Sequence, residues 1–212
     1  NGRYSIQNSV TAQKDQTYAL YNLTQDQLAY TLMPVGAYTK DEIREIAERI
    51  QLPVAHKQDS QDICFIPDGD YASFIKKETG EEFAPGNFVD VEGNVLGQHK
   101  GIIHYTVGQR KGLGLTAPIP LFVKELRPDV NEVVICRSEQ LFEKECYVKD
   151  MNYMGMPELH LGEEVEAIGK VRYSHKGAPC RLTLLEDGRV LCCFEEPQRA
   201  MTPGQAAGFY ND

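Results

Sequence analysis

The hydrophobic period changes at Pro85-Gly86, and that switch constrains the fold more than any other feature of the chain. Before it, apolar residues recur at helical spacing. Thr39-Lys40-Asp41-Glu42 is a capping-box pattern. Behind it Ile43, Ile46, Ala47 and Ile50 fall on one face of a helix that Pro53 ends. Lys14-Asp15-Gln16 opens an earlier segment with apolar Tyr18, Leu20, Tyr21 and Leu23, and Thr24 starts a second helix over residues 25–32. Residues 70–77 read as a further short helix with Tyr71, Phe74 and Ile75 on its apolar side.

After Pro85-Gly86 the period is two. Residues 88–91 and 95–97 flank Glu92-Gly93-Asn94 as a hairpin, and residues 121–126 and 132–136 flank Arg127-Pro128-Asp129-Val130-Asn131 as another. Strands are then expected over 165–173, 180–185, 190–194 and 205–210, separated by turn residues, at the spacing of a small antiparallel barrel. The class is α+β.

With 212 residues and a 42% apolar share, the chain can build one large or two modest domains. No apolar run approaches the ~18 residues of a membrane span. The chain starts at Asn1 without a charged-then-apolar leader, which reads as a fragment or a processed product. None of the six cysteines forms a Cys-x-x-Cys pair or has a histidine at zinc-site spacing, so no metal site is expected. Free thiols fit a reducing cytoplasm. Cys192 and Cys193, adjacent in a strand, should face opposite ways. The net charge of −9 argues against broad nonspecific nucleic-acid binding. Residues 165–189 are locally basic, carrying Lys170, Arg172, Lys176, Arg181 and Arg189.

Gly112-Leu113-Gly114-Leu115-Thr116-Ala117 fits a loose dinucleotide-binding pattern, but Pro118 and Pro120 forbid the helix it needs. Thr106 to Gly112 can approach a phosphate backbone or be a solvated turn. Arg172-Tyr173, at a strand end, can clamp RNA by charge and stacking. Taken alone, an exposed Arg beside a packed Tyr reads better. For Lys14-Asp15-Gln16, the residues alone favour Asp15 at the positive end of a helix dipole with solvated neighbours. Asp59-Ser60-Gln61-Asp62-Ile63-Cys64-Phe65 reads as a loop presenting one thiol, or as a small core cysteine.

In order along the chain stand Lys14-Asp15-Gln16-Thr17-Tyr18, Met33-Pro34-Val35-Gly36, the run ending in Cys64-Phe65, residues 105–114, and Thr202-Pro203-Gly204-Gln205-Ala206. Together they resemble the tRNA-specific 2-thiouridylase (MnmA) family, from about residue 11 to 211. The resemblance implies three parts. Residues 1–66 would be the helical tail of a PP-loop domain, 67–138 a small central β-rich domain, and 139–212 an antiparallel β-barrel like those of elongation factors. It implies a sulfurtransferase that adenylates a wobble uridine of tRNA with ATP and replaces the C2 oxygen by sulfur from a persulfide. Cys64 matches the persulfide-carrying cysteine, one of a disulfide-exchanging pair. Lys14, Asp15, Gln16, Arg172, Tyr173 and Gln205 match tRNA contacts. ATP, as co-substrate, would bind mainly outside this chain, which lacks the family's phosphate loop and first cysteine. The implied partners are tRNA and a cysteine desulfurase or sulfur-relay protein, in the cytoplasm, with no membrane. Two other readings stay open: a tRNA-binding module without chemistry, and a stand-alone thiol sulfur carrier.

Overall fold

The computed structural model describes residues 2–11, 15–57, 66 and 69–211. Cys64 with the residues around it (58–65), and Lys14, lie outside the described residues. The chain divides into two compact units. One comprises residues 1–59, 145–196 and 204–212; the other comprises residues 60–144 and 197–203.

The second unit begins with a short capped helix, Tyr71–Thr79 (α3). Asp70 caps it, accepting from the Ser73 amide at 3.1 Å, and Gly80 ends it at φ +69°. Ala72 is buried and Phe74 and Ile75 are half-buried, whereas Tyr71, expected on the apolar side, is 43% exposed. The sheet that follows has four strands, Gly86–Val89 (β1), Val95–His99 (β2), Phe122–Arg127 (β3) and Glu132–Cys136 (β4), in the order β2-β1-β4-β3. Both expected hairpins are present. The strand β1 pairs antiparallel with β2, and β3 with β4. The first turn is built by Asp90, whose carboxylate accepts from the amides of Glu92 and Asn94. The second closes at Asn131, φ +52°.

Neither hairpin announces how the two join. They meet through a parallel pairing of β1 with β4, Phe88 opposite Val133. The strands β1 and β4 are therefore central, and Val133, Val134, Ile135 and Cys136 are all buried, without alternation. Phe88, Tyr105, Leu113, Val123, Val133 and Ile135 form the core. Asn131 fastens the junction: its side-chain amide donates to the carbonyls of Ala84 and Pro85 at 3.2 and 3.1 Å. His99, 1% exposed, donates from Nε2 to the Asn131 carbonyl at 3.1 Å and accepts the Gly101 amide at Nδ1. Both ring nitrogens are thus used by a neutral imidazole.

In the first unit, Gln25–Ala29 (α1) and Lys40–Arg49 (α2) both start with complete capping boxes, Thr24 with Gln27 and Thr39 with Glu42. The helix α1 stops short of the expected residue 32. The segment after Asp15 is a single 3₁₀ turn, Thr17–Leu20. The apolar face of α2 is not a core face here: Ile43, Ile46 and Ala47 are half-buried and Ile50 is 58% exposed. The sheet has the order β5-β8-β7-β6-β9, from Phe142–Val148 (β5), Glu164–Lys170 (β6), Ala178–Leu184 (β7), Val190–Arg199 (β8) and Gly208–Tyr210 (β9). Its inner face follows the expected alternation. Cys180 lies opposite Phe194 and Leu182 opposite Cys192, all four buried. The expected antiparallel strands are present; among the described residues β5 and β9 do not pair, so the sheet is not closed.

Gly86 meets the tightest constraint on backbone approach. A Cβ there would lie 2.1 Å from the Asn131 carbonyl oxygen, a backbone atom. Gly86→Ala should therefore cost about 3 kcal/mol, the upper end for overpacking. Gly80→Ala meets no atom but keeps a left-handed φ, and should cost about 1 kcal/mol. Urea unfolding midpoints of the two variants check the ranking.

Candidate nucleic-acid interface

The first unit gathers most of the residues singled out for RNA contact. Its frame is an Asp-x-Thr turn. The Asp15 carboxylate accepts the Ser9 amide at 2.6 Å, the Thr17 amide at 2.9 Å and the Thr17 hydroxyl. Burial alone would raise the Asp15 carboxyl, but the hydrogen bonds from Thr17 and Ser9 outweigh it and hold the group below its ordinary value. Asp15 is therefore a turn anchor, not a first-turn residue facing a helix dipole. Its oxygens are occupied by protein donors.

The anchor places its neighbour. Gln16, exposed, donates from Nε2 to the Tyr173 hydroxyl at 3.0 Å, and that hydroxyl lies 3.5 Å from the Asp15 carbonyl. Tyr173 is 51% exposed and meets buried Tyr18 edge-on, with ring centroids 6.2 Å apart. Tyr18 in turn donates its hydroxyl to the Ala206 carbonyl at 2.5 Å, one residue from exposed Gln205. Burial raises the Tyr18 phenol, with the neighbouring Tyr210 and Tyr21 adding to this and the Arg172 charge opposing it. Burial also raises Tyr210, which hydrogen-bonds the Thr17 side chain.

Asp15, Gln16, Arg172, Tyr173 and Gln205 thus come from three separate chain segments that Tyr18 and Thr17 tie together. Arg172 and Tyr173 were expected to end a strand. They lie instead in the turn after β6, where the His175 amide donates to the Arg172 carbonyl at 3.1 Å. Gln205 likewise precedes β9 and is not in it. A turn frees side chains from the pleat and lets a Tyr ring stand half-exposed. Of the basic residues counted between 165 and 189, Arg181 pairs with Glu164 at 3.5 Å and Arg189 with Asp187 at 2.7 Å. Lys170 lies 5.7 Å from the Tyr210 ring centroid. Tyr18 and Thr17 were not assigned roles from the sequence. The Asp-x-Thr spacing, an Asx-turn signature, was the signal available for Thr17.

The loop at residues 106–112 is shaped by its own glutamine. Gln109 accepts the Thr106 amide at 2.9 Å and donates to the Lys111 carbonyl at 2.9 Å, leaving Arg110 and Lys111 exposed. Gly112 and Gly114 run on into irregular chain, so no loop-to-helix phosphate cradle forms there. Among the described residues no group of three or more His, Cys, Asp or Glu side chains is arranged to hold a metal ion. No described helix is long and apolar enough to cross a membrane.

An anchored polar and aromatic cluster at the edge of a β-sheet is the kind of surface that proteins acting on structured RNA present. Family models match in series along the chain: a tRNA methyl transferase HUP domain over residues 1–68, a tRNA methyl transferase PRC-barrel domain over 72–137, and an aminomethyltransferase β-barrel domain over 143–212. A tRNA-specific 2-thiouridylase MnmA of Lachnoclostridium phytofermentans is 57% identical over 210 residues, 99% of this chain and 58% of that protein. Proteins of the same name from Clostridium kluyveri and Carboxydothermus hydrogenoformans are 50% identical over 212 residues and 48% over 209. They too are spanned only to 59% and 57% of their length, against 100% and 99% of this chain. The chain belongs to the MnmA family of tRNA-specific 2-thiouridylases.

The Asp15 turn yields a pH-dependent prediction. Its folded carboxyl sits below the unfolded value of about 3.9. Its stabilisation is therefore complete above that value and fades as pH falls through the folded one. Asp15→Asn should be less stable than the parent by about 1–2 kcal/mol near neutrality, the scale of charge-assisted hydrogen bonds. That gap should narrow as pH falls from about 4. Denaturant unfolding of both proteins at a series of pH values checks it.

Proposed function

We propose that the chain is the tRNA-docking and sulfur-delivering part of a tRNA-uridine 2-sulfurtransferase, which makes 2-thiouridine at the wobble position of tRNA. The observation that carries this reading is the 57% identity to a tRNA-specific 2-thiouridylase across 99% of the chain. The joined cluster of Gln16, Arg172, Tyr173 and Gln205 supports it. In this reading Tyr173 offers a face for stacking, Arg172 and Lys14 supply charge, and Gln16 and Gln205 supply amide donors and acceptors. Asp15, its carboxylate already saturated, acts on tRNA by positioning Gln16 and Tyr173. An acidic protein then holds a folded RNA by shape and a few local contacts, not by a broad positive field.

Cys64 carries the persulfide. Its sulfur is received from a cysteine desulfurase or a relay protein, and a second cysteine releases the product by thiol–disulfide exchange. ATP serves the complete enzyme as co-substrate. The described residues contain no loop that fits its phosphates. The same reading divides the chain at residues 66 and 138, which the order of the three family models supports. It places the enzyme in the cytoplasm.

In an enzyme of the relatives' full length, Cys64→Ser should abolish 2-thiouridine formation and leave tRNA affinity unchanged, since a hydroxyl cannot carry a persulfide. Nucleoside analysis of the tRNA and a filter-binding titration separate the two quantities. Near-normal thiolation by that variant with a persulfide donor would overturn the role of Cys64.

Arg172→Ala should weaken tRNA binding and reduce the slope of log affinity against log salt by roughly one, as loss of one phosphate contact does. Titrations at several salt concentrations measure both. An unchanged slope would remove Arg172 from the interface.

A further inference from the structure

Three of the cysteines that the sulfur-transfer reading leaves unused lie on three adjacent strands. Cys146 is on β5, Cys192 on β8 and Cys180 on β7, in the order β5-β8-β7. The Ala200 amide donates to the Leu141 carbonyl at 2.8 Å, and Cys193 Sγ lies 3.9 Å from Glu145 Oε1. Residue numbers fall along one strand as they rise along the other, so β5 and β8 run antiparallel. Neighbouring side chains alternate faces. With Cys193 and Glu145 together on one face, Cys192 and Cys146 come together on the other. Cys192 is hydrogen-bonded to both Cys146 and Cys180. Cys180 sits one residue pair along on the same face, because Leu182 lies opposite Cys192 and Phe194 opposite Cys180. Gly169 makes room for it: a Cβ there would stand 2.9 Å from Cys180 Sγ.

The three thiols differ in access. Cys192 is fully buried and Cys180 is 4% exposed, whereas Cys146 is only half-buried. We propose that Cys146 and Cys192 are a peroxide-sensitive pair, Cys146 being the point of oxidation and Cys192 the thiol that closes a disulfide onto it.

The chemistry balances with a hydroperoxide as oxidant. The Cys146 sulfur attacks one peroxide oxygen, the O–O bond breaks, and water or an alcohol leaves. Cys146 becomes a sulfenic acid and the peroxide is reduced. The Cys192 sulfur then attacks the Cys146 sulfur. The S–S bond forms, the S–O bond breaks, and the departing hydroxide takes the Cys192 proton as water. The hydrogen bonds to Cys146 and Cys180, with burial, push the Cys192 thiol up, so it is protonated in the reduced protein and passes that proton to the oxygen leaving Cys146 as its sulfur attacks. Held in contact, it outruns a second peroxide, and Cys146 is spared the irreversible sulfinic step.

The test uses the folded protein in a Cys64→Ser background, so that it does not depend on the role of that residue. Reduced protein is treated with hydrogen peroxide, free thiols are blocked with N-ethylmaleimide, and a tryptic digest is mapped by mass without reduction. Trypsin places Cys146 in the peptide 145–149, Cys192 with Cys193 in 190–199, and Cys180 in 177–181. The expected product links 145–149 to 190–199, persists in Cys193→Ser, disappears in Cys146→Ser, and is reversed by a dithiol. A link only between 177–181 and 190–199 would overturn the proposal. So would a link that Cys193→Ser removes, or sulfinic acid at Cys146 with no link. The unsubstituted strands report this result directly, so it does not depend on folding of a Cys192 variant.

Discussion

The hydroxyl of Tyr18 is the bond on which the first unit hangs. A buried phenol needs a partner, because an unpaired hydroxyl in an apolar setting costs about 1–3 kcal/mol. Tyr18 finds its partner in the Ala206 carbonyl, at the far end of the chain. Its ring simultaneously supports Tyr173 from the edge. Once Tyr18 is seated, the turn before it and the approach to β9 after it are held together. Further long-range bonds repeat the pattern. Asn152 donates to the carbonyls of Tyr21 and Leu23, both at 2.9 Å, and Gln25 reaches the Met154 carbonyl at 3.3 Å. The early segment, with only short helices of its own, is thus stitched to the C-terminal half by side chains that saturate irregular backbone. Such segments have few ladder bonds and must find partners elsewhere.

What could be read in advance follows from distance along the chain. The Thr39 capping box and both hairpins of the four-stranded sheet are written in consecutive residues and were legible, whereas Thr24 was read as a helix start without the Gln27 half of its box. The alternation on β7 and β8 was legible for the same reason. Cys192 is buried while Cys193, its neighbour, meets Glu145 on the other face. The parallel pairing of β1 with β4 has no local signature, because Gly86 and Asn131 are brought together only by the fold. The apolar stripe on α2 is correctly periodic, yet periodicity states only that a face wants cover, not that the described residues supply it. Arg172 and Tyr173 were assigned to a strand because β-branched and aromatic residues run through them. The strand ends at Lys170, and the turn with His175 decides their orientation.

Within the candidate interface, the division of labour among polar residues is an electrostatic one. A carboxylate beside an RNA phosphate is repulsive unless its charge is spoken for. Asp15 turns three donors toward itself, and so its charge organises protein rather than facing outward. The cations sort by the same criterion. Arg181 faces Glu164 of β6 and Arg189 faces Asp187 in the turn before β8, and exposed pairs of this kind contribute little stability, about 0–1 kcal/mol. The paired carboxylates nevertheless offset two of the positive charges counted in the basic stretch. The local excess that made residues 165–189 look basic therefore contracts toward the turn after β6. That is the place where Tyr173 stands half-exposed and Gln16 reaches across to it. On a chain of net charge −9, the proposed docking of RNA then rests on attraction confined to a small area, which suits a shape that brings a phosphate and an unstacked base to the same point.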